Sequence, residues 1–233
     1  MPDCELTLRL IEPVDYLDHA SLRLGDVCYC LGEYTAHRGN SFSPMNQLIG
    51  DFKIKPASDG IEAIAKDAAM RTIANAFRCA LTTDSHFAGL RTATLVPTPP
   101  SAVFGDSLHD DRMLRLVSMI GEGLEVDVRE LVKQHTSTKA SRGADLRPSV
   151  SEIASNYYID ETLAQPYPKN VWVFDDVLTG GNHYKAMESV IIQRFPLAST
   201  IGIFIARRAP EEAARLSWRE KLNSAHGAPQ RRS

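Results

Sequence analysis

Two adjacent carboxylates, Asp175 and Asp176, follow four apolar residues in the stretch VWVFDDVLTGGNH, which runs from Val171 to His183. Paired acids at a strand end are costly unless they accept hydrogen bonds or meet a cation, so they point to a ligand carrying hydroxyls or to a metal. A ribose offers vicinal hydroxyls. Thr179, Gly180, Gly181 and Asn182 can close a tight turn whose N–H groups face outward, and a helix starting near His183 adds its positive dipole end. Acids for a diol and a turn for a phosphate together suit a ribose 5-phosphate group. His183 is placed either to donate a charge-assisted bond to that phosphate or to be an ordinary surface residue. The structural alternative is a strand, turn and helix in which Asp176 merely caps the turn. Neither a Walker-type glycine-rich loop nor a Rossmann fingerprint is present in the sequence.

The elements that would position these residues are legible from apolar spacing. Asp26–Tyr34 (DVCYCLGEY) is rich in strand formers, and GNSFSPMN after it reads as a turn or loop. Ile61, Ile64, Ala65, Ala68, Ile73, Ala76, Phe77, Ala80 and Leu81 fall at helical spacing with one face to bury. Thr92–Pro97 is a short strand stopped by TPPS, and a helix follows with Met113, Leu116, Val117, Ile120 and Leu124 on one face. Ser149 and Glu152 form a capping-box pattern that starts another helix. Val171–Phe174 is an apolar strand, Tyr184, Met187, Val190 and Ile191 mark a helix, and Thr200–Ala206 is a further strand. Trp172 and Tyr184 read as packing residues. Continuous apolar strands alternating with helices predict an α/β fold, with a central, mostly parallel sheet flanked by helices. The expected organisation is a small N-terminal lobe over 1–58, an α/β domain over 59–210 and a charged C-terminal tail over 211–233.

With 43% hydrophobic and 24% charged residues the chain has a globular composition, and its net charge of −3 gives no general attraction to nucleic acid or an anionic membrane. Aromatics do not interleave with a basic run, so nucleic acid is not expected as a direct ligand. No apolar run approaches a membrane span, and MPDCEL lacks the character of a signal peptide, so a cytoplasmic address is expected. Cys4, Cys28, Cys30 and Cys79 contain no CxxC pair, and reduced thiols are expected at all four.

The double-aspartate segment resembles the binding motif for phosphoribosyl pyrophosphate in type I phosphoribosyltransferases: four apolar residues, two acids, two apolar residues, then a Thr/Gly-rich turn. It departs at Gly180, where a second Thr is common, and at His183, where Thr or Ser is usual. The order of parts is most similar to ComF-type proteins: Glu33, Tyr34 and Thr35, then NQLIGDFK ending at Lys53, then LVPTPPS from Leu95 to Ser101, a likeness that extends weakly to Arg207. The N-terminal cysteine cluster and the RGFNQ signature of that family are missing, and FGDSLHDDR (Phe104–Arg112) stands in place of the latter. The resemblance implies a Mg²⁺-dependent glycosyltransferase of the pentosyl class. Asp175 and Asp176 would hold the ribose and meet the metal indirectly through the Mg-substrate. Thr179, Gly180, Gly181, Asn182 and His183 would hold the phosphate. It also implies a pyrophosphate loop over Ser101, Asp110, Asp111 and Arg112, where either Asp106, Asp110 and Asp111 hold Mg²⁺ with Arg112 touching a pyrophosphate oxygen, or Asp110, Asp111 and Arg112 simply open a helix. A flexible hood loop carrying Lys139 and Arg147 is either a cover over the site or solvated surface. In purine-salvage relatives an acid occupies the position of Thr179, so a 6-oxopurine acceptor is not expected. The rival reading is a catalytically silent nucleotide sensor or adaptor linked to DNA uptake or antiphage defence, working with a protein partner or as a homodimer.

Overall fold

The computed structural model of the protein describes residues 6–56, 58–138 and 148–209. Its strands in chain order are β1 (Arg9–Leu10), β2 (Cys28–Thr35), β3 (Ala93–Pro97), β4 (Asp127–Val128), β5 (Val132–Gln134), β6 (Tyr157–Ile159), β7 (Asn170–Leu178) and β8 (Ser199–Ala209). Its α-helices are α1 (Pro44–Phe52), α2 (Gly60–Thr83), α3 (Arg112–Gly121), α4 (Val150–Asn156) and α5 (Asn182–Arg194).

Six strands form one sheet in the order β1-β2-β8-β7-β3-β4, and within it only β1 pairs antiparallel. β5 and β6 form a separate antiparallel pair. Both faces of the sheet are covered, which is why its central strands are apolar throughout: all five residues of β3 are buried, as are Val171 to Phe174 of β7. One core takes Ile49 and Phe52 from α1, Met70, Ile73 and Phe77 from α2, and Leu116, Val117 and Ile120 from α3. The opposite core takes Ile153 of α4, Tyr184, Met187 and Ile191 of α5, and Val132 and Tyr157 of β5 and β6. The molecule is therefore α/β, with a mostly parallel sheet between helices. Among the described residues no helix is long and apolar enough to cross a membrane.

Residues 1–58, expected as a small lobe, put β2 into the shared sheet through a parallel ladder with β8, and Leu31, Met45, Ile49 and Phe52 into the shared core. The segment expected as a turn or loop at 39–46 is a short turn up to Ser43, and only its last three residues enter α1: Ser43 Oγ accepts the Asn46 N–H at 3.0 Å and Pro44 sits in the first turn. In α2 the buried stripe runs through Lys66, Ala69, Met70, Ile73, Ala74, Phe77, Ala80 and Leu81, whereas Ile61, Ile64 and Ala68 are exposed. Helical spacing continued to Ile61, but the buried face of α2 begins only at Lys66. The capping box at α4 is formed, with Glu152 accepting the Ser149 N–H at 2.7 Å and Ser149 Oγ accepting the Glu152 N–H at 3.3 Å. Cys28 and Cys30 are free and buried, but Cys79 is disulfide-bonded, which corrects the expectation of a reduced thiol there. Pairing depends on two Cβ atoms meeting in space, which sequence spacing does not encode.

Candidate functional site

β7 does not end at Phe174. It continues through both aspartates to Leu178, because Asp175, Val177 and Leu178 keep their parallel pairing with Phe204, Ala206 and Arg207 of β8. The facing of side chains slips there. Val171 and Val173 lie in one core and Trp172 and Phe174 in the other, yet beyond the acids Val177 joins the Phe174 side and Leu178 the opposite one. The two carboxylates occupy the slip. Asp175 Oδ1 accepts the Asp176 N–H at 2.8 Å, and Asp176 Oδ1 accepts the Val177 N–H at 2.6 Å.

Both acids line a cleft of about 360 Å³ at the carboxyl ends of β3 and β7. That is where open parallel sheets present ligand sites. The same cleft brings in Thr179 and His183 from beyond β7, Ser101, Asp110, Asp111 and Arg112 from the loop after β3, and Lys53 from the end of α1. Thr98 clamps the floor by donating both its N–H, at 2.9 Å, and its hydroxyl, at 3.0 Å, to the Phe174 carbonyl. Gly180, Gly181 and Asn182 do not line the cleft; they lie against residues 19–22 instead. Lys139 and Arg147 lie outside the described residues, as does the segment 211–233.

Electrostatics divide the two acids. Burial, reinforced by the neighbouring Asp176 charge, pushes the Asp175 carboxyl up to about 7, against the opposing pull of the Asp176 N–H and of Lys53. Asp176 has a direct cation: Lys53 Nζ stands 2.9 Å from its Oδ2. His183 is exposed as a residue, yet the packing around its ring lowers its pKa while Asp176 pulls the other way. Its Nδ1 is 2.9 Å from the Tyr157 hydroxyl, whose own pKa burial raises. The phenol therefore stays protonated and shares with Nδ1 a hydrogen bond whose direction follows the ring's tautomer. The lowered pKa disfavours the charged donor that was one of the two alternatives for His183.

The loop after β3 is built around Asp110. Its carboxylate is buried and sits between Lys66 Nζ at 3.1 Å and an Arg112 guanidinium nitrogen at 2.8 Å, while its Oδ1 also accepts the Arg112 N–H at 3.1 Å. Lys66 further donates to the Ile54 carbonyl at 2.8 Å. Asp110 is thus consumed in joining α2 to the start of α3. Asp106 faces away from the other acids and accepts from the Leu108 N–H and the Ser137 hydroxyl. Asp111 is the residue before α3 and is exposed. Asp110 and Asp111 stand directly before α3, and the Asp111 side chain makes no capping bond to it. Among the described residues no group of three or more His, Cys, Asp or Glu side chains is arranged to hold a metal ion.

Several cleft residues gave no sequence signal. Glu130, Gln134, Thr138 and Tyr157 reach it from around the β5–β6 pair, elements too short for periodicity to mark. No protein-family model matches the chain, and no curated protein matches it.

Proposed function

We propose that this chain is a type I phosphoribosyltransferase-like protein that binds phosphoribosyl pyrophosphate and transfers its ribose 5-phosphate group to an acceptor. The observation that carries the reading is that Asp175, Asp176 and Thr179 share one cleft with the loop of Ser101 to Arg112. Two carboxylates suited to a ribose diol thus share a cleft with one residue group suited to each phosphorylated end.

In this reading Asp175 and Asp176 accept hydrogen bonds from the ribose hydroxyls. As the bond from the anomeric carbon to pyrophosphate breaks and the acceptor attacks that carbon, positive charge builds on the ribose, and the ionised pair steadies it. Thr179, which lines the cleft beside the acids, holds the non-reacting phosphate and so orients the sugar. His183, held by the Tyr157 hydroxyl through Nδ1, brings its ring to the same end. Asp175 and Asp176 would meet Mg²⁺ indirectly, through the Mg-bound substrate whose ribose they hold, and such an ion would supply positive charge to the pyrophosphate. Because Asp175 must be ionised to serve both roles, binding of the Mg-substrate strengthens as pH rises through about 7. Calorimetric titrations at pH 6 and pH 8 test this, and equal affinity at the two would contradict it.

One observation favours a second reading, in which the same cleft binds the ligand without turning it over. Arg112 is the only lysine or arginine between Ser101 and Arg112, and it is already paired with Asp110. The loop then adds little free positive charge to stabilise a leaving pyrophosphate. Incubation with Mg²⁺, phosphoribosyl pyrophosphate and a panel of nitrogen acceptors separates the two: pyrophosphate release supports transfer, and tight binding without release supports a sensor or adaptor.

A further inference from the structure

The turn after β7 is held by a segment about 160 residues away in the chain, through bonds that all run in one direction. His19 Nδ1 bonds to the Thr179 carbonyl, the Ser21 N–H donates to the Gly180 carbonyl at 2.9 Å, and the Ser21 hydroxyl donates to Asn182 Oδ1 at 2.7 Å. Leu22 packs on Gly181, where an added Cβ would stand 3.2 Å from Leu22 Cδ2. On its far side Asn182 donates to the Pro148 carbonyl at 2.7 Å.

The direction of these bonds matters. In a planar trans peptide the C=O and the following N–H point opposite ways. Anchoring the carbonyls of Thr179 and Gly180 on residues 19–21 therefore aims the N–H groups of Gly180 and Gly181 away from that segment. Among the described residues neither of those N–H groups has a backbone partner. His19 is fully buried, and its other nitrogen, Nε2, has no hydrogen-bond partner. Burial lowers its pKa against the raising effect of the Thr179 carbonyl. Since a carbonyl only accepts, the ring is fixed as the neutral Nδ1–H tautomer, a permanent donor.

We propose that His19 and Ser21 are positioning residues for the phosphate-binding turn: residues 19–22 form a strap that fixes the turn from which Thr179 enters the cleft, so that Thr179 is held ready for a phosphate monoester. The proposal rests on the reading of that turn as the ribose-phosphate end of the cleft. It is tested on the full chain by calorimetric titration of ribose 5-phosphate and, separately, of Mg-pyrophosphate, which would occupy the other end. Ser21→Ala is expected to weaken ribose 5-phosphate about fivefold to tenfold, to leave Mg-pyrophosphate unchanged, and to be rescued by Ser21→Thr. Amide resonances of Gly180 and Gly181 in ligand-free protein should shift in Ser21→Ala and in His19→Leu. Equal weakening of both ligands, or no weakening while wild type binds, overturns the strap and leaves the functional reading standing. Wild-type protein that takes up no ribose 5-phosphate overturns both. If His19→Leu does not fold, Ser21→Ala decides alone.

Discussion

Asp175 carries most of the chemical information at the residue scale. A carboxyl pushed to about 7 by burial and by a neighbouring acid is a group the fold holds at a cost. Because its folded pKa is raised, its contribution to stability is full below the ordinary carboxylate value and is lost as pH rises through about 7. Asp175→Asn removes that loss. Its thermal midpoint should rise above wild type, more at pH 8 than at pH 5, with about 1–2 kcal/mol of added stability at the higher pH. Asp110 is instead held between two cations, Lys66 and Arg112. Its removal in Asp110→Ala leaves Lys66 buried without its counter-ion, at a cost of about 3–5 kcal/mol readable in urea denaturation. A loss below 1 kcal/mol would show that the pair is not what joins α2 to α3.

Among the elements, β7 and its turn show what a sequence can and cannot reveal. Val171 to Phe174 were legible because a strand covered on both faces needs four consecutive apolar residues. The continuation to Leu178 was not, since it is fixed by pairing with β8, which a reading of local pattern does not see. The acids and Thr179 were legible as chemistry. The strap was not, because His19 and Ser21 meet the turn only after the chain has folded. The same limit explains Ile61 and Ile64, whose spacing matched a buried face that α2 presents only further along. Gly181 tests the turn itself. With φ at +87° and Leu22 beside it, Gly181→Ala should cost about 1–3 kcal/mol and weaken phosphate binding together. Unchanged stability would mean that the turn relaxes without the strap.

For the whole molecule, one sheet gathers these parts: the N-terminal segment supplies β2, α1 with Lys53, and the strap, so the cleft is complete only when both ends of the chain meet. Acid should loosen that union. The depressed pKa of buried His19 means its stabilising contribution is full above the ordinary histidine value of about 6.5 and is lost as pH falls through its lower folded pKa. Asp175 runs the other way, so the comparison with a variant isolates the histidine: urea midpoints should fall between pH 7.5 and 5.5 more in wild type than in His19→Leu. Parallel profiles would remove His19 from the explanation. The most direct test of the central claim is calorimetric titration of phosphoribosyl pyrophosphate with Mg²⁺ into wild type and into Asp175→Asn/Asp176→Asn. Saturable one-to-one binding by wild type, abolished in the double variant, is the predicted result; no binding by wild type, or equal binding by both, would contradict it.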